Sequence, residues 1–178
     1  TISVAGSPEL SIWKTGEVHE ESQTVAKRDA DSVIEAGESY VTYSVVMANT
    51  GNQTLNAVTL TDAKISATTN SEVVLDVGTV NSLGEFSKTG TTTGTVTAAG
   101  VITLNNDLTV GTAVRYTYDY VVTQDDVTAG QVENTAIGDS TQTDPVDGNI
   151  GTDGYQDPSA TNPKDGVAYN LEKLLGSA

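Results

Sequence analysis

The segment from Gly37 to Asn52 constrains the fold more than any other part of the chain. Its large apolar side chains fall on every second residue: Val41, Tyr43, Val45 and Met47. A period of two is typical of a half-buried β-strand. The strand runs directly into Asn49-Thr50-Gly51-Asn52, whose residue types favour a turn. The segment therefore predicts a chain built from short strands joined by tight turns.

Seven further segments have strand-like composition, and Gly, Asn and Asp residues separate them. No long helical period interrupts them. The pattern predicts an all-β protein, an Ig-like antiparallel β-sandwich of about seven to nine strands with extended N- and C-terminal segments. The eight predicted strands are Leu10–Lys14, Tyr40–Asn49, Ala57–Asp62, Val73–Val77, Gly94–Ala98, Val101–Leu104, Ala113–Thr123 and Gln131–Gly138.

The sequence divides into three parts. Residues 1–8 form an N-terminal extension that could donate a strand, 9–138 the sandwich, and 139–178 an Asp/Gly-rich arm and tail. Within the sandwich, Gly16 to Asp31 is polar and predicts a loop. The tail from Val167 to Leu175 fits either a strand or one face of a short helix.

The charge balance limits the partners. The chain has 24 acidic and 8 basic residues, a formal net charge of −16. Nucleic acid and anionic membranes need clustered Lys and Arg, so both are excluded as predicted partners. Cysteine is absent, which excludes disulfides and thiolate metal sites, and no run of about 18 apolar residues predicts a membrane span. A start at Thr1 favours a processed, secreted protein located outside the cell or at its surface.

Two groups of motifs occur in a fixed order. The first comprises Trp13-Lys14-Thr15, Gly37-Glu38-Ser39-Tyr40-Val41-Thr42-Tyr43, Asn49-Thr50-Gly51-Asn52 and Val58-Thr59-Leu60-Thr61-Asp62. The second comprises Thr123-Gln124-Asp125-Asp126 and Gly130, followed by Asn134-Thr135-Ala136. Together they resemble the Ig-like "conserved repeat" domains of unknown function in bacterial and archaeal surface proteins, which are related to CARDB-like adhesion modules.

The resemblance spans roughly residues 8–138 and implies an Ig-like fold, a surface location and contacts with cell-surface or matrix components. The chain departs from the family pattern in two respects. It holds one copy of the domain, whereas family members usually carry tandem repeats. Its stretch from Ala63 to Thr112 is also longer and richer in Thr and Gly.

Few residues suggest chemistry, and we expect no enzyme and no obligatory cofactor. The only histidine, His19, lies in the predicted loop without marked partners. Calcium is the one candidate cofactor, because flexible loops rich in carboxylates supply its oxygen ligands. The candidate ligands are Asp144, Asp147, Asp153 and Asp157. The alternative is a solvated, turn-rich arm.

Two surface features have alternative interpretations. Asn52-Gln53-Thr54 is a glycosylation sequon, yet the turn alone accounts for Asn52. The alternating tyrosines Tyr116, Tyr118 and Tyr120 could form a sugar-stacking platform. A face of the sandwich core is favoured, because alternating large residues pack one sheet on another.

Three residues suit a crosslink between strands. Lys14 lies on the first strand, Asn134 on the last, and Asp62 at the end of a central one. Some Ig-like surface proteins form an autocatalytic isopeptide bond from such a trio. That chemistry needs a neutral, desolvated lysine amine and a carboxyl held protonated, which burial promotes. The alternative is a surface lysine and an asparagine that caps a turn.

The sequence thus predicts a non-enzymatic extracellular structural protein. The preferred version is a self-assembling homo-oligomer, the subunit of a cell-surface filament or pilus-like fibre, in which a terminal segment completes a neighbour's sheet. The N-terminal end is favoured as the donor because Ile2-Ser3-Val4 alternates. The alternative is an adhesin or binding module for glycan, protein or calcium.

Overall fold

A computed structural model describes residues 6–19, 36–65, 71–132, 134–149 and 169–170. These residues confirm the all-β fold, and the Ig-like topology stays a prediction. One short helix, α1, spans Gln124–Ala129. The strands are β1 Leu10–His19, β2 Tyr40–Asn49, β3 Thr59–Thr61, β4 Ser71–Val80, β5 Phe86–Val96, β6 Val101–Leu104, β7 Ala113–Val121, β8 Gln131–Val132, β9 Thr135–Ser140, β10 Thr143–Asn149 and β11 Tyr169–Asn170.

Nine strands form one antiparallel sheet in the order β1-β2-β7-β4-β5-β6-β3-β9-β10. The ladder between β1 and β2 runs over all ten residues, from Leu10 opposite Asn49 to His19 opposite Tyr40. The sheet curls until β1 contacts β9 and β10, although no main-chain ladder joins them. We call this junction the seam. It brings the first strand beside residues more than a hundred positions later in the sequence.

The curled sheet encloses the core. On β2 the predicted inward residues Val41, Tyr43, Val45 and Met47 are all buried. They pack with apolar residues from other strands of the sheet, among them Leu60, Ile102 and Val114. A second, smaller cluster on the outer face joins Trp13, Val46, Ala48 and Ala113, with Val80 and Phe86 packed against it. As a result, β1 from Leu10 to Lys14 and β2 from Val45 to Asn49 are buried on both faces.

The structure corrects three predictions. Residues 16–19 were predicted as loop, but they continue β1 because the ladder with β2 persists beyond Lys14. His19 therefore ends a strand, where its ring stacks on Tyr40 at 4.4 Å between centroids. The strand predicted at Gly94–Ala98 begins earlier and ends at Val96, since β5 starts at Phe86 and pairs with β4 along its length.

The third correction concerns the Asp/Gly-rich arm. Its first residues are not loop, since β9 continues to Ser140 and β10 follows from Thr143 to Asn149. The backbone N–H of Thr143 donates to Ser140 Oγ at 3.2 Å, which closes the turn between the two strands. Pairing with β9 thus offsets the weak strand propensity of Asp147 and Gly148.

Two short elements, α1 and β11, complete the described fold. The sequence showed no long helical period, and α1 has only six residues, fixed by a capping box between Thr123 and Asp126. In the ambiguous tail, Tyr169 and Asn170 form a strand that pairs with Val132 and Gln131 of β8. Within the described ranges, no helix is long and apolar enough to cross a membrane.

Candidate functional site: a buried lysine, carboxylate and amide

Lys14 lies on the inward face of β1. Leu10 and Ile12 precede it at the same period-two spacing, and both are core residues. The lysine itself is fully buried. A lysine is almost never fully buried unless it is paired. Its partner should therefore lie on an element packed against β1.

Asp62 is that partner, and the turn between β5 and β6 fixes its backbone. The Asp62 N–H donates to the Gly100 carbonyl at 2.9 Å. Gly100 has φ +77°, and a Cβ there would lie 2.1 Å from the Asp62 carbonyl oxygen. Only glycine fits both the left-handed backbone and the close approach. The Asp62 side chain is held as well, since its Oδ1 accepts from the Lys64 N–H at 2.9 Å.

Four side chains meet through hydrogen bonds at the centre of the site. Lys14 Nζ and the Tyr118 hydroxyl both donate to Asp62 Oδ2. Lys14 Nζ also donates to Tyr118 Oη at 3.2 Å, and Asn134 Nδ2 donates to the same oxygen at 2.9 Å. We call these residues, Lys14, Asp62, Tyr118 and Asn134, the Lys14 cluster. Four elements supply them: β1, the end of β3, β7 and the residue before β9.

Aromatic rings enclose the ammonium. Lys14 Nζ lies 4.8 Å from the centroid of the Tyr43 ring and 5.8 Å from that of Tyr118. Water is therefore largely excluded from the nitrogen. The Tyr43 hydroxyl is itself buried and makes no hydrogen bond of good geometry within the described part of the chain, although the Asn134 amide lies close enough to oppose the rise of its pKa that burial causes. Asn134, by contrast, is only half-buried, so one side of the cluster opens towards solvent.

Burial changes the acid–base properties of the cluster. It lowers the pKa of Lys14 to about 8, because a charged amine is penalised away from water. The charge of Asp62 and its hydrogen bond to the amine oppose this shift, whereas the charge of Lys64 adds to it. Burial also raises the pKa of Tyr118, and the negative charge of Asp62 adds to this rise. At neutral pH the phenol thus stays protonated, while a fraction of the lysine is a neutral nucleophile.

The arrangement is suited to acyl transfer between side chains. A desolvated amine is a nucleophile, and the amide carbon of Asn134 is an electrophile. A carboxylate hydrogen-bonded to the amine can take its proton. Proton transfer within the Lys14–Asp62 pair also removes two buried charges, whose joint desolvation is costly. The cluster thus holds a nucleophile, a base and an electrophile beside one shared hydroxyl.

The structure brings together all three residues predicted for a crosslink. Lys14 and Asp62 contact directly, and Asn134 joins them through Tyr118. The sequence pattern did not mark Tyr118 as part of this site. Its alternation with Tyr116 and Tyr120 indicated an inward side chain, and Tyr118 is indeed buried. No sequence signal marked where its hydroxyl would lie, because the position of the hydroxyl depends on how β3 and β9 pack against β7.

The structure describes the candidate calcium ligands only in part. Asp144 and Asp147 lie in β10, and Asp153 and Asp157 lie outside the described residues. Among the side chains that the structure describes, no three His, Asp or Glu residues form a group able to hold a metal ion. The calcium site stays a prediction. Asn52 is exposed, and its Oδ1 accepts from the Ser7 N–H at 2.6 Å.

The chain matches no protein-family model and no curated protein. The resemblance to surface-protein repeats therefore stays a prediction, and the case for a function rests on the geometry of the Lys14 cluster.

Proposed function

We propose that the chain is a non-enzymatic extracellular structural domain whose sandwich is closed by an intramolecular isopeptide bond between Lys14 and Asn134. One observation supports this most: a fully buried lysine bonds to a carboxylate and to a phenol, and the same phenol oxygen accepts a hydrogen bond from an asparagine near the far end of the sheet. A buried ion pair gives little net stability and is often replaceable by apolar residues. A covalent bond would give the buried lysine a role.

The proposed reaction balances within the cluster. Lys14 gives one proton to Asp62, and the neutral Nζ attacks Cγ of Asn134. The new Nζ–Cγ bond forms, the Cγ–Nδ2 bond breaks, and Nδ2 departs as ammonia. Of the three protons on the original ammonium, one stays on Nζ, one leaves with the ammonia and one remains on Asp62. No cofactor or oxidant takes part, and the reaction occurs once in the life of each molecule.

The position of the bond suits a structural role. Lys14 lies on β1 and Asn134 precedes β9, so the bond would cross the seam, where no ladder joins the strands. It would close a loop of roughly 120 residues, and by the chain-entropy relation for crosslinks it stabilises the fold by about 5 kcal/mol. In a chain without cysteine, this bond would replace a disulfide.

Intact-mass measurement tests the bond. We expect the native chain to weigh one ammonia less than its sequence requires. Lys14→Arg and Asn134→Ala should each restore the full mass, and Asn134→Ala should lose about 5 kcal/mol in denaturant unfolding. Lys88→Ala is the matched control, because Lys88 is a half-exposed surface lysine, and it should keep the deficit. A native chain of full mass would leave Lys14 and Asp62 as an ion pair only.

We also propose that the chain is the self-assembling subunit of a cell-surface filament, and β11 supports this. Residues 169–170 pair as a strand with β8, which therefore offers its edge to an extended segment from the tail. In a fibre, the same segment of a neighbouring copy would occupy this edge. The acidic composition suits a soluble extracellular subunit.

Deletion of Val167–Ala178 tests the assembly. We expect polymers of the full chain in negative-stain micrographs and monomers after the deletion, with an unchanged mass deficit because the Lys14 cluster is untouched. Deletion of Thr1–Ser7 is the comparison that identifies the donor end. Polymers that survive both deletions would exclude strand complementation by either end.

A further inference from the structure

We infer that Tyr118 is a catalytic residue of the proposed crosslinking reaction, in which its hydroxyl carries a proton from Asp62 to the departing nitrogen of Asn134. This inference rests on the proposed function and adds a fourth participant. Its basis is geometric, because one phenol oxygen lies within hydrogen-bond distance of the nucleophilic nitrogen, the carboxylate and the leaving nitrogen.

The departing nitrogen needs a proton donor. An amide nitrogen is a very poor leaving group unless it is protonated as the bond to carbon breaks. Asp62 holds the proton first removed from Lys14, yet neither of its oxygens bonds to Asn134 among the described residues. Oδ1 accepts from the Lys64 N–H, and Oδ2 accepts from Lys14 and Tyr118. Asp62 therefore lacks a direct path to Nδ2.

Tyr118 supplies that path. In the resting cluster its O–H donates to Asp62, while its oxygen accepts from Asn134 Nδ2 at 2.9 Å. Once Asp62 is protonated, the direction of this hydrogen bond can reverse. The Asp62 O–H then gives its proton to Tyr118 Oη as the Tyr118 O–H gives its own proton to Nδ2. Asp62 next accepts the second proton from the Nζ of the adduct, and Tyr118 ends the reaction unchanged.

The burial of Tyr118 suits the relay. Its raised pKa keeps the hydroxyl protonated over the range in which Lys14 becomes neutral. The ring also packs between Tyr43, at 5.5 Å between centroids, and Tyr116, at 5.8 Å. This packing holds the oxygen in place between β1 and β9. A phenylalanine would keep the same packing and lose only the hydroxyl.

The experiment starts from unreacted full-length chain, recovered in urea and diluted into folding buffer, with intact mass followed over time. The variants are Tyr118→Phe and, as the matched control, Tyr116→Phe, which removes a hydroxyl from the adjacent ring on the same strand. We expect Tyr116→Phe to react at the native rate and Tyr118→Phe to react at least about 100-fold more slowly, the usual size of general-acid effects. Circular dichroism verifies that each variant folds.

Two further readouts separate proton transfer from packing. The native rate should level off above about pH 8, whereas the residual rate of Tyr118→Phe should fall with rising pH, because its leaving group must then take a proton from solvent. The native reaction should also be slower in heavy water, a measurement that needs no variant. Equal rates and pH profiles for Tyr118→Phe and the native chain, or equal native rates in light and heavy water, would overturn the relay. A native chain that never loses ammonia would instead overturn the proposed function.

Discussion

Among the described residues, two clusters of charged side chains contain a lysine paired with an aspartate, and they differ in almost every other respect. In the Lys14 cluster, both side chains are fully buried. In the second, which we call the Asp76 cluster, Asp76 pairs with Lys88 at 2.9 Å and with Arg115 at 2.8 Å on the outer face of the sheet. Its three side chains are between a quarter and a half exposed.

The difference shows how the surroundings change the chemistry of the same two residue types. Solvent around the Asp76 cluster screens the charges, so the pair contributes little and nothing drives it to react. Its main effect is electrostatic, since hydrogen bonds from Lys88 and Arg115 lower the pKa of Asp76. Around Lys14 the charges are costly, and proton transfer within the pair relieves that cost while it creates a nucleophile.

The largest difference between the two clusters should appear when the aspartate charge of each is removed. Asp62→Asn removes the buried carboxylate that bonds to the Lys14 ammonium, and breaking a buried ion pair costs about 3 kcal/mol or more. It also removes the base, so the crosslink and its stabilisation of about 5 kcal/mol are lost as well. Asp76→Asn should change stability by about 1 kcal/mol at most. Intact mass and urea unfolding measure both variants.

Equal and small losses for these two variants would break the contrast between the clusters. It would also be broken if Asp62→Asn kept the mass deficit, since the amine would then need no carboxylate.

A second, intermediate effect concerns pH. In Asn134→Ala, Lys14 keeps a free amine whose folded pKa lies near 8, below its ordinary value. Between these two values the unfolded chain binds more protons than the folded chain, so stability rises with pH there. We expect a gain of about 2 kcal/mol between about pH 7.5 and 9.5. Above the ordinary tyrosine range the trend reverses, because burial raises the pKa values of Tyr43 and Tyr118.

The control for this pH series is the double variant Lys14→Met/Asn134→Ala, whose stability should stay level over the same interval. The Asp76 cluster should respond only in acid. Its lowered pKa gives stability above the unfolded value, and that stability is lost as pH falls through the folded value. A level profile for Asn134→Ala itself would show that Lys14 is not desolvated.

The smallest effect tests the unused hydroxyl beside the Lys14 cluster. Once Asn134 is replaced, the buried Tyr43 oxygen has no described hydrogen-bond partner, so we expect Tyr43→Phe to leave unfolding stability level or to raise it by up to about 1 kcal/mol. Urea unfolding in the Asn134→Ala background measures this without the crosslink. A clear loss of stability would show that the hydroxyl has a partner in the folded chain.

Part of this picture could be predicted from the sequence. Alternation located β2 with both its ends correct, because four of its inward residues, Val41, Tyr43, Val45 and Met47, are large and form part of the core. The same rule underestimated β1 and β5, where polar and threonine residues continue a strand through main-chain pairing alone. The prediction for Thr143 to Asn149 was wrong for the same reason, since pairing with β9, and not its own composition, makes this segment a strand.

Three residues of the Lys14 cluster could be predicted from the sequence, but the group that connects them could not. Lys14 lies on an alternating strand, and Asp62 and Asn134 lie in or beside segments of strand-like composition. The role of Tyr118 depends on a contact between strands far apart in sequence, and a single sequence does not specify where a hydroxyl will lie. Gly100 illustrates the same limit: it marks a turn in the sequence, yet its close approach to the Asp62 backbone appears only in the fold.

The seam between β1 and β9 has a mechanical consequence. When a β-domain is pulled from its two flanks, tension passes through every residue, and the ladders open one after another. With Lys14 bonded to Asn134, a pulling force would cross from β1 to the start of β9 through a single side-chain amide. The strands from β2 to β8 would then carry no tension, and extension would stop once the residues before Lys14 and those after Asn134, β9 and β10 among them, had been pulled out.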